Sequence, residues 1–107
     1  MDLLKSRGYG KYDPPVTNEV ADWLWQKEFD VGVTEQNMFL NAYEYGPKRV
    51  GSVKKKRTVE FQFQLDREGE PSVRVKLFSF RADELSGRKL DRIEEKARNM
   101  FIYAHYA

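Results

Sequence analysis

The chain has no cysteine and a single histidine, His105, among its 107 residues. Without cysteine there can be no disulfide, no thiolate metal site and no cysteine nucleophile. One histidine leaves nothing to complete a zinc site. Its place near the chain end is also poor for a catalytic base, which must be held rigidly against its substrate. Long apolar runs are missing too. Met1 to Gly10 offers only Leu3 and Leu4 as an apolar pair, too little for a secretory leader, and no stretch approaches the ~20 apolar residues of a membrane span. Small secreted domains ordinarily carry cysteine staples, so the expected setting is the cytoplasm, away from any membrane.

Catalytic patterns are equally scarce. None of the serines at 6, 52, 72, 79 and 86 sits in a Gly-x-Ser-x-Gly turn. The glycines at 46 and 51 have the spacing of a phosphate-cradling loop, but no Lys-Ser or Lys-Thr follows them. Asp66, Glu68 and Glu70 cluster in what reads as a solvated turn, without the length or ligand pattern of a calcium loop. The expectation is a non-enzymatic protein with no metal and no cofactor.

What is present is a core and a charge map. The hydrophobic fraction is 40%, with 7 Phe, 6 Tyr and 2 Trp, enough large apolar surface for one domain of this length to fold unaided. The charged fraction is 34% with a net charge of only +2, but the charges are segregated. Residues 1–12 carry a net +2, residues 13–46 a net −6, residues 47–57 a net +6 with no acid, and residues 58–107 balance at nine of each sign. Such blocks say more about partners than the total does.

Residues 1–16 read as an extended N-terminal arm, punctuated by Gly8, Gly10, Pro14 and Pro15. Residues 17–107 read as a single α+β domain. Thr17 or Asn18 can cap a helix running to Phe29, on which Val20, Ala21, Leu24, Trp25 and Phe29 share one half of the wheel. On that helix Trp23 falls about 160° from Trp25, among polar neighbours. Residues 34–45 fit a second helix slightly better than a strand. Met38, Ala42 and Tyr45 share a helical stripe and Gly46-Pro47 is a stop, whereas Phe39, Asn41, Tyr43 and Tyr45 keep a partial period of two. The clearest signal is the alternation of Thr58–Leu65 and again of Ser72–Phe80, joined by turn residues 66–71. It predicts an antiparallel hairpin with one apolar face, burying Phe61, Phe63, Val73 and Val75 and presenting Arg74, Lys76 and Phe78 on the other face. A final helix from Ser86 or Gly87 to Tyr103 would bury Leu90, Ile93, Ala97, Met100, Phe101 and Ala104, with Glu94 and Arg98 paired on its exposed side. The expected order is α-α-β-β-α, or α-β-β-β-α if residues 37–45 are a strand, with the hairpin packed against helices on one face.

The basic segment is the strongest functional feature. Lys48, Arg49, Lys54, Lys55, Lys56 and Arg57 fall within a short loop free of acids, and such a stretch can follow nucleic-acid phosphates by releasing counterions. Arg74 and Lys76 would extend the positive surface, with Phe78 as a stacking face. A helix-turn-helix in 18–45 fits poorly, because its second helix would carry Glu35 and Glu44 and no cation. The expected function is therefore a small binding protein contacting nucleic acid through residues 48–57. The alternative is a protein-binding regulator or inhibitor of the mobile-element kind, anchored by Trp23 as an aromatic contact.

Overall fold

The computed structural model describes residues 2–18, 20–32, 35–50 and 53–106, leaving aside the side chains at 48–50, 53–55, 105 and 106. The chain runs α1 (Asp2–Ser6), β1 (Gly10–Tyr12), a 3-10 turn (Val16–Asn18), β2 (Trp23–Phe29), β3 (Gln36–Tyr45), β4 (Lys48–Val50), β5 (Val53–Lys55), β6 (Thr58–Arg67), β7 (Val73–Arg81), a second 3-10 turn (Ala82–Glu84) and α2 (Gly87–Tyr106). Among the described residues, five strands form one antiparallel sheet in the order β1-β2-β3-β6-β7, and β4 and β5 pair only with each other.

The hairpin and the last helix form where the sequence places them. β6 pairs with β7 from Leu65↔Val73 to Thr58↔Arg81, and Gly69 takes the turn at φ +75°, a conformation side-chain-bearing residues avoid. Ser86 caps α2, its Oγ accepting from the Lys89 amide at 3.2 Å. Leu90, Ile93, Ala97 and Phe101 are buried, Met100 is half-buried, and Ala104 is exposed. Glu94 departs from expectation. It does not sit with Arg98 on an outer face but is buried, accepting the Tyr9 hydroxyl at 2.9 Å and meeting Lys27 Nζ at 3.3 Å.

The N-terminal half differs more. The helix expected over 17–29 is one 3-10 turn followed by β2, and residues 36–45 are a strand and not a helix. The order is thus α-β-β-β-β-β-β-β-α, in place of either arrangement read from the sequence. The physical reason lies on the core face of the sheet. In β2 the residues pointing to that face are Trp23, Trp25, Lys27 and Phe29, and in β3 they are Met38, Leu40, Ala42 and Glu44, paired Trp23↔Glu44, Trp25↔Ala42, Lys27↔Leu40 and Phe29↔Met38. A charged residue interrupts the apolar alternation in each strand, and each charge is matched from a distant element. Lys27 meets Glu94 of α2. Glu44 accepts Trp25 Nε1 at 3.0 Å and is ion-paired with Arg57.

α1 and α2 cover the same face. Leu4, Trp25, Phe29, Met38, Leu40, Ala42, Val59, Phe61, Phe63 and Leu65 form one core with the apolar stripe of α2. Each large side chain so buried contributes roughly 1.5–3 kcal/mol. The segment read as an arm therefore supplies an edge strand, the fully buried Leu4 and the buried Tyr9. Burial and the adjacent Glu94 carboxylate hold the Tyr9 hydroxyl far above its ordinary pKa, so it stays a donor. Val73 and Val75, expected to be buried, remain 45% and 38% exposed, because β7 is the sheet edge and α2 leaves its first residues uncovered.

Candidate nucleic-acid interface

The connection from β3 to β6 is itself a hairpin. Gly46-Pro47 ends β3, and β4 pairs with β5 in the register Lys48↔Lys55, Arg49↔Lys54 and Val50↔Val53. Residues 51 and 52 lie outside the described residues, as do the side chains of Lys48, Arg49, Lys54 and Lys55, so these four are placed by register alone. That register sets cation opposite cation twice in succession. Like charges directly opposite in a ladder are destabilising.

Two predicted contact residues stand at the base of this ribbon. Lys56 is exposed, with Nζ 3.4 Å from Asp83 Oδ2. Arg57 holds the buried Glu44 carboxylate while its own side chain stays 44% exposed. Burial by itself would raise the Glu44 pKa. The hydrogen bond from Trp25 and the guanidinium of Arg57 outweigh it and hold the carboxyl below its usual range. Arg57 thus ties the foot of the ribbon to the sheet.

Arg74 and Lys76 lie on the sheet face opposite the helices, facing Gln64 and Gln62 in the register of β6. A β-bulge follows them. Between Phe61 and Gln62 the pairing shifts, leaving Leu77 as the extra residue, so Phe78 pairs with Phe61 and turns to the core face. Phe78 is therefore not the expected companion of Arg74 and Lys76. It stacks on Phe80 at 5.9 Å between ring centroids and lies under Lys96 Nζ at 4.6 Å. The same shift brings Arg81 onto the face of Arg74 and Lys76, which a strict period of two does not indicate, and Arg81 is ion-paired with Asp83 and Glu84. From Thr58 at the ribbon foot to Gln64 opposite Arg74 is six residues of β6, roughly 20 Å. The cations form a line rather than a cluster.

That open face also carries a polar network which sequence reasoning missed. Gln26 Nε2 donates to Asn41 Oδ1 at 2.8 Å, Asn41 Nδ2 to Gln64 Oε1 at 2.7 Å, and Gln64 Nε2 to Asp66 at 3.1 Å, crossing β2, β3 and β6. Asn41 is 1% exposed, so each of its bonds replaces the water it gave up on folding. Beside the network, the Tyr45 hydroxyl donates to Glu60 Oε2 at 3.0 Å and accepts from Asn18, and Glu60 also pairs with Lys76 at 3.2 Å. Burial raises the Tyr43 hydroxyl pKa, with Arg74 opposing the shift and Glu60 adding to it. The signal that could have located this surface is the run Glu60, Gln62, Gln64 on one face of a strand.

Trp23 shares its face with Trp25, since residues two apart in a strand point the same way. It is 36% exposed, and Lys11 of β1 lies with Nζ 4.0 Å from its ring centroid and 5.6 Å from that of Trp25. Among the described residues, no group of three His, Cys, Asp or Glu side chains could hold a metal ion, and no helix is long and apolar enough to cross a membrane. No protein-family model, curated protein or solved structure matches the chain.

Proposed function

We propose that this is a small non-enzymatic cytoplasmic protein that binds nucleic-acid phosphates through the basic ribbon of β4 and β5. The observation that carries the reading is the ribbon's register, which opposes Lys48 to Lys55 and Arg49 to Lys54 in a two-stranded sheet that pairs with no other strand among the described residues. Two-stranded ribbons of this width enter nucleic-acid grooves, and phosphate oxygens would supply the counter-charge that no acid in residues 47–57 can. Lys56 and Arg57 stand at its foot, with Arg74 and Lys76 further along the sheet for a longer strand to reach.

The test is a gel-shift series with DNA and RNA probes of unrelated sequence across a range of salt. Binding should be about equally strong for each sequence. Replacing Lys54, Lys55 and Lys56 together with Ala should flatten the dependence of log K on log[salt] by about 0.9 for each duplex phosphate that the variant no longer neutralises. No complex with any probe at low salt and micromolar protein, or an unchanged slope in the triple variant, would overturn the reading.

A further inference from the structure

β7 is a long strand at the rim of the sheet, and only one of its edges is used. It has nine residues, none of them proline or glycine, and among the described residues it pairs with β6 alone. The opposite rim is the three-residue β1, followed closely by Pro14 and Pro15. Along the first half of β7 the two faces of the free edge differ in chemistry. On the helix side, Val73 and Val75 border an open groove of about 430 Å³ with Phe63, Met100 and Tyr103, and Tyr103 is 79% exposed. On the other side stand Arg74, exposed and with no ion-pair partner among the described residues, and Lys76, whose charge is shared with Glu60. Lys96 adds a cation at the groove wall.

We infer that Val73–Lys76 at the β7 edge receives an extended acidic segment of a partner protein as a sixth strand, its residues alternating between apolar and acidic. Strand addition draws affinity from the edge's unpaired amides and carbonyls and selectivity from alternate side chains. Here one set of side chains would fill the groove over Val73, Val75 and Met100, and the other would lie beside Arg74 and Lys76. Glu68 and Glu70 crowd the turn end of β7, so the partner's acids belong opposite the two cations and away from that turn. A second copy of this chain is a poor occupant. A two-fold register that sets Val75 against Val73 or Val75 of another copy also opposes Arg74 to Arg74 or to Lys76. Cations at a sheet rim commonly guard against such self-pairing, and they leave an acidic strand favoured. This inference does not require the ribbon to bind nucleic acid, but it draws on Arg74 and Lys76, which a longer nucleic acid bound at the ribbon would also reach.

The experiment titrates the full chain into labelled short synthetic peptides: one alternating valine and glutamate, one alternating valine and lysine, and the first with a central proline. Amide hydrogen exchange is followed by NMR. The valine–glutamate peptide should bind at least about tenfold more tightly than either control and should slow exchange at the β7 amides that do not bond to β6. Val75→Lys should weaken it. The charge reversal Arg74→Glu with Lys76→Glu should switch the preference to the valine–lysine peptide, which decides the matter even if Val75→Lys fails to fold. Several results would overturn the proposal: equal binding of both alternating peptides, protection elsewhere than β7, or self-association through β7 at working concentration. So would binding that disappears in the Lys54, Lys55, Lys56 triple-alanine variant and is displaced by an oligonucleotide, since that locates the attraction in the ribbon.

Discussion

Glu44 is the residue whose removal most directly tests how this sheet is assembled. It is 4% exposed on the core face of β3, accepting from Trp25 Nε1 at 3.0 Å and paired with Arg57. Cutting one member from a fully buried ion pair costs about 3–5 kcal/mol. Arg57 is 44% exposed, however, and water can reclaim its guanidinium once the carboxylate is gone. The larger part of the cost is then the buried indole N–H left without an acceptor, about 1–3 kcal/mol. Glu44→Ala should therefore destabilise by about 2–3 kcal/mol. Glu44→Gln, which keeps an amide oxygen for Trp25, should cost about 1 kcal/mol. In a Trp25→Phe background the alanine substitution should cost less, with a coupling of about 1–2 kcal/mol. Urea unfolding followed by far-ultraviolet circular dichroism is the suitable assay, because the Trp25 indole is hydrogen-bonded to Glu44 and the substitution would itself change its fluorescence. The pH dependence has a definite sign. A carboxyl held below its usual range contributes stability that is present above the unfolded value near ~4.3 and lost as pH falls through the folded one. The gap between wild type and Glu44→Gln should stay constant above about pH 5 and narrow in acid. A loss under about 0.5 kcal/mol for Glu44→Ala, or equal losses for Ala and Gln, would refute the reasoning.

Leu4 is fully buried in α1, so Leu4→Ala should cost about 2–5 kcal/mol in the same urea assay; no change would mean that the N-terminal segment is detachable from the core. Lys11→Ala should remove a cation–π contact of about 0.5–1 kcal/mol from the Trp23 ring. Trp23→Ala should cost about 1–2 kcal/mol, for a ring whose surface is partly covered. If Trp23→Ala leaves stability within about 0.5 kcal/mol and abolishes partner binding instead, Trp23 is a contact residue and its packing is incidental.

The parts of the fold legible in the sequence are those whose pattern is local and unbroken. Val59, Phe61, Phe63 and Leu65 alternate without interruption, and the α2 stripe from Leu90 to Phe101 keeps helical spacing with a serine cap, so β6 and α2 can be placed from neighbouring residues alone. The basic block 48–57 is equally visible, since charge needs no fold to be counted. β2 and β3 are different. Lys27 and Glu44 sit where an apolar residue is expected, and they are tolerated only because Glu94, Trp25 and Arg57 arrive from other elements to meet them. Without those partners, Val20, Ala21, Leu24, Trp25 and Phe29 imitate a helical face. In β3 the open face is as aromatic as the core face is apolar, with Phe39, Tyr43 and Tyr45 against Met38, Leu40 and Ala42, and this blurs the period of two. Tertiary structure also decided the line of cations on β7. A single extra residue at Leu77 turned Phe78 to the core face and Arg81 to the face of Arg74 and Lys76. Where a bulge falls depends on the twist and packing of the whole sheet, not on the residues of one strand.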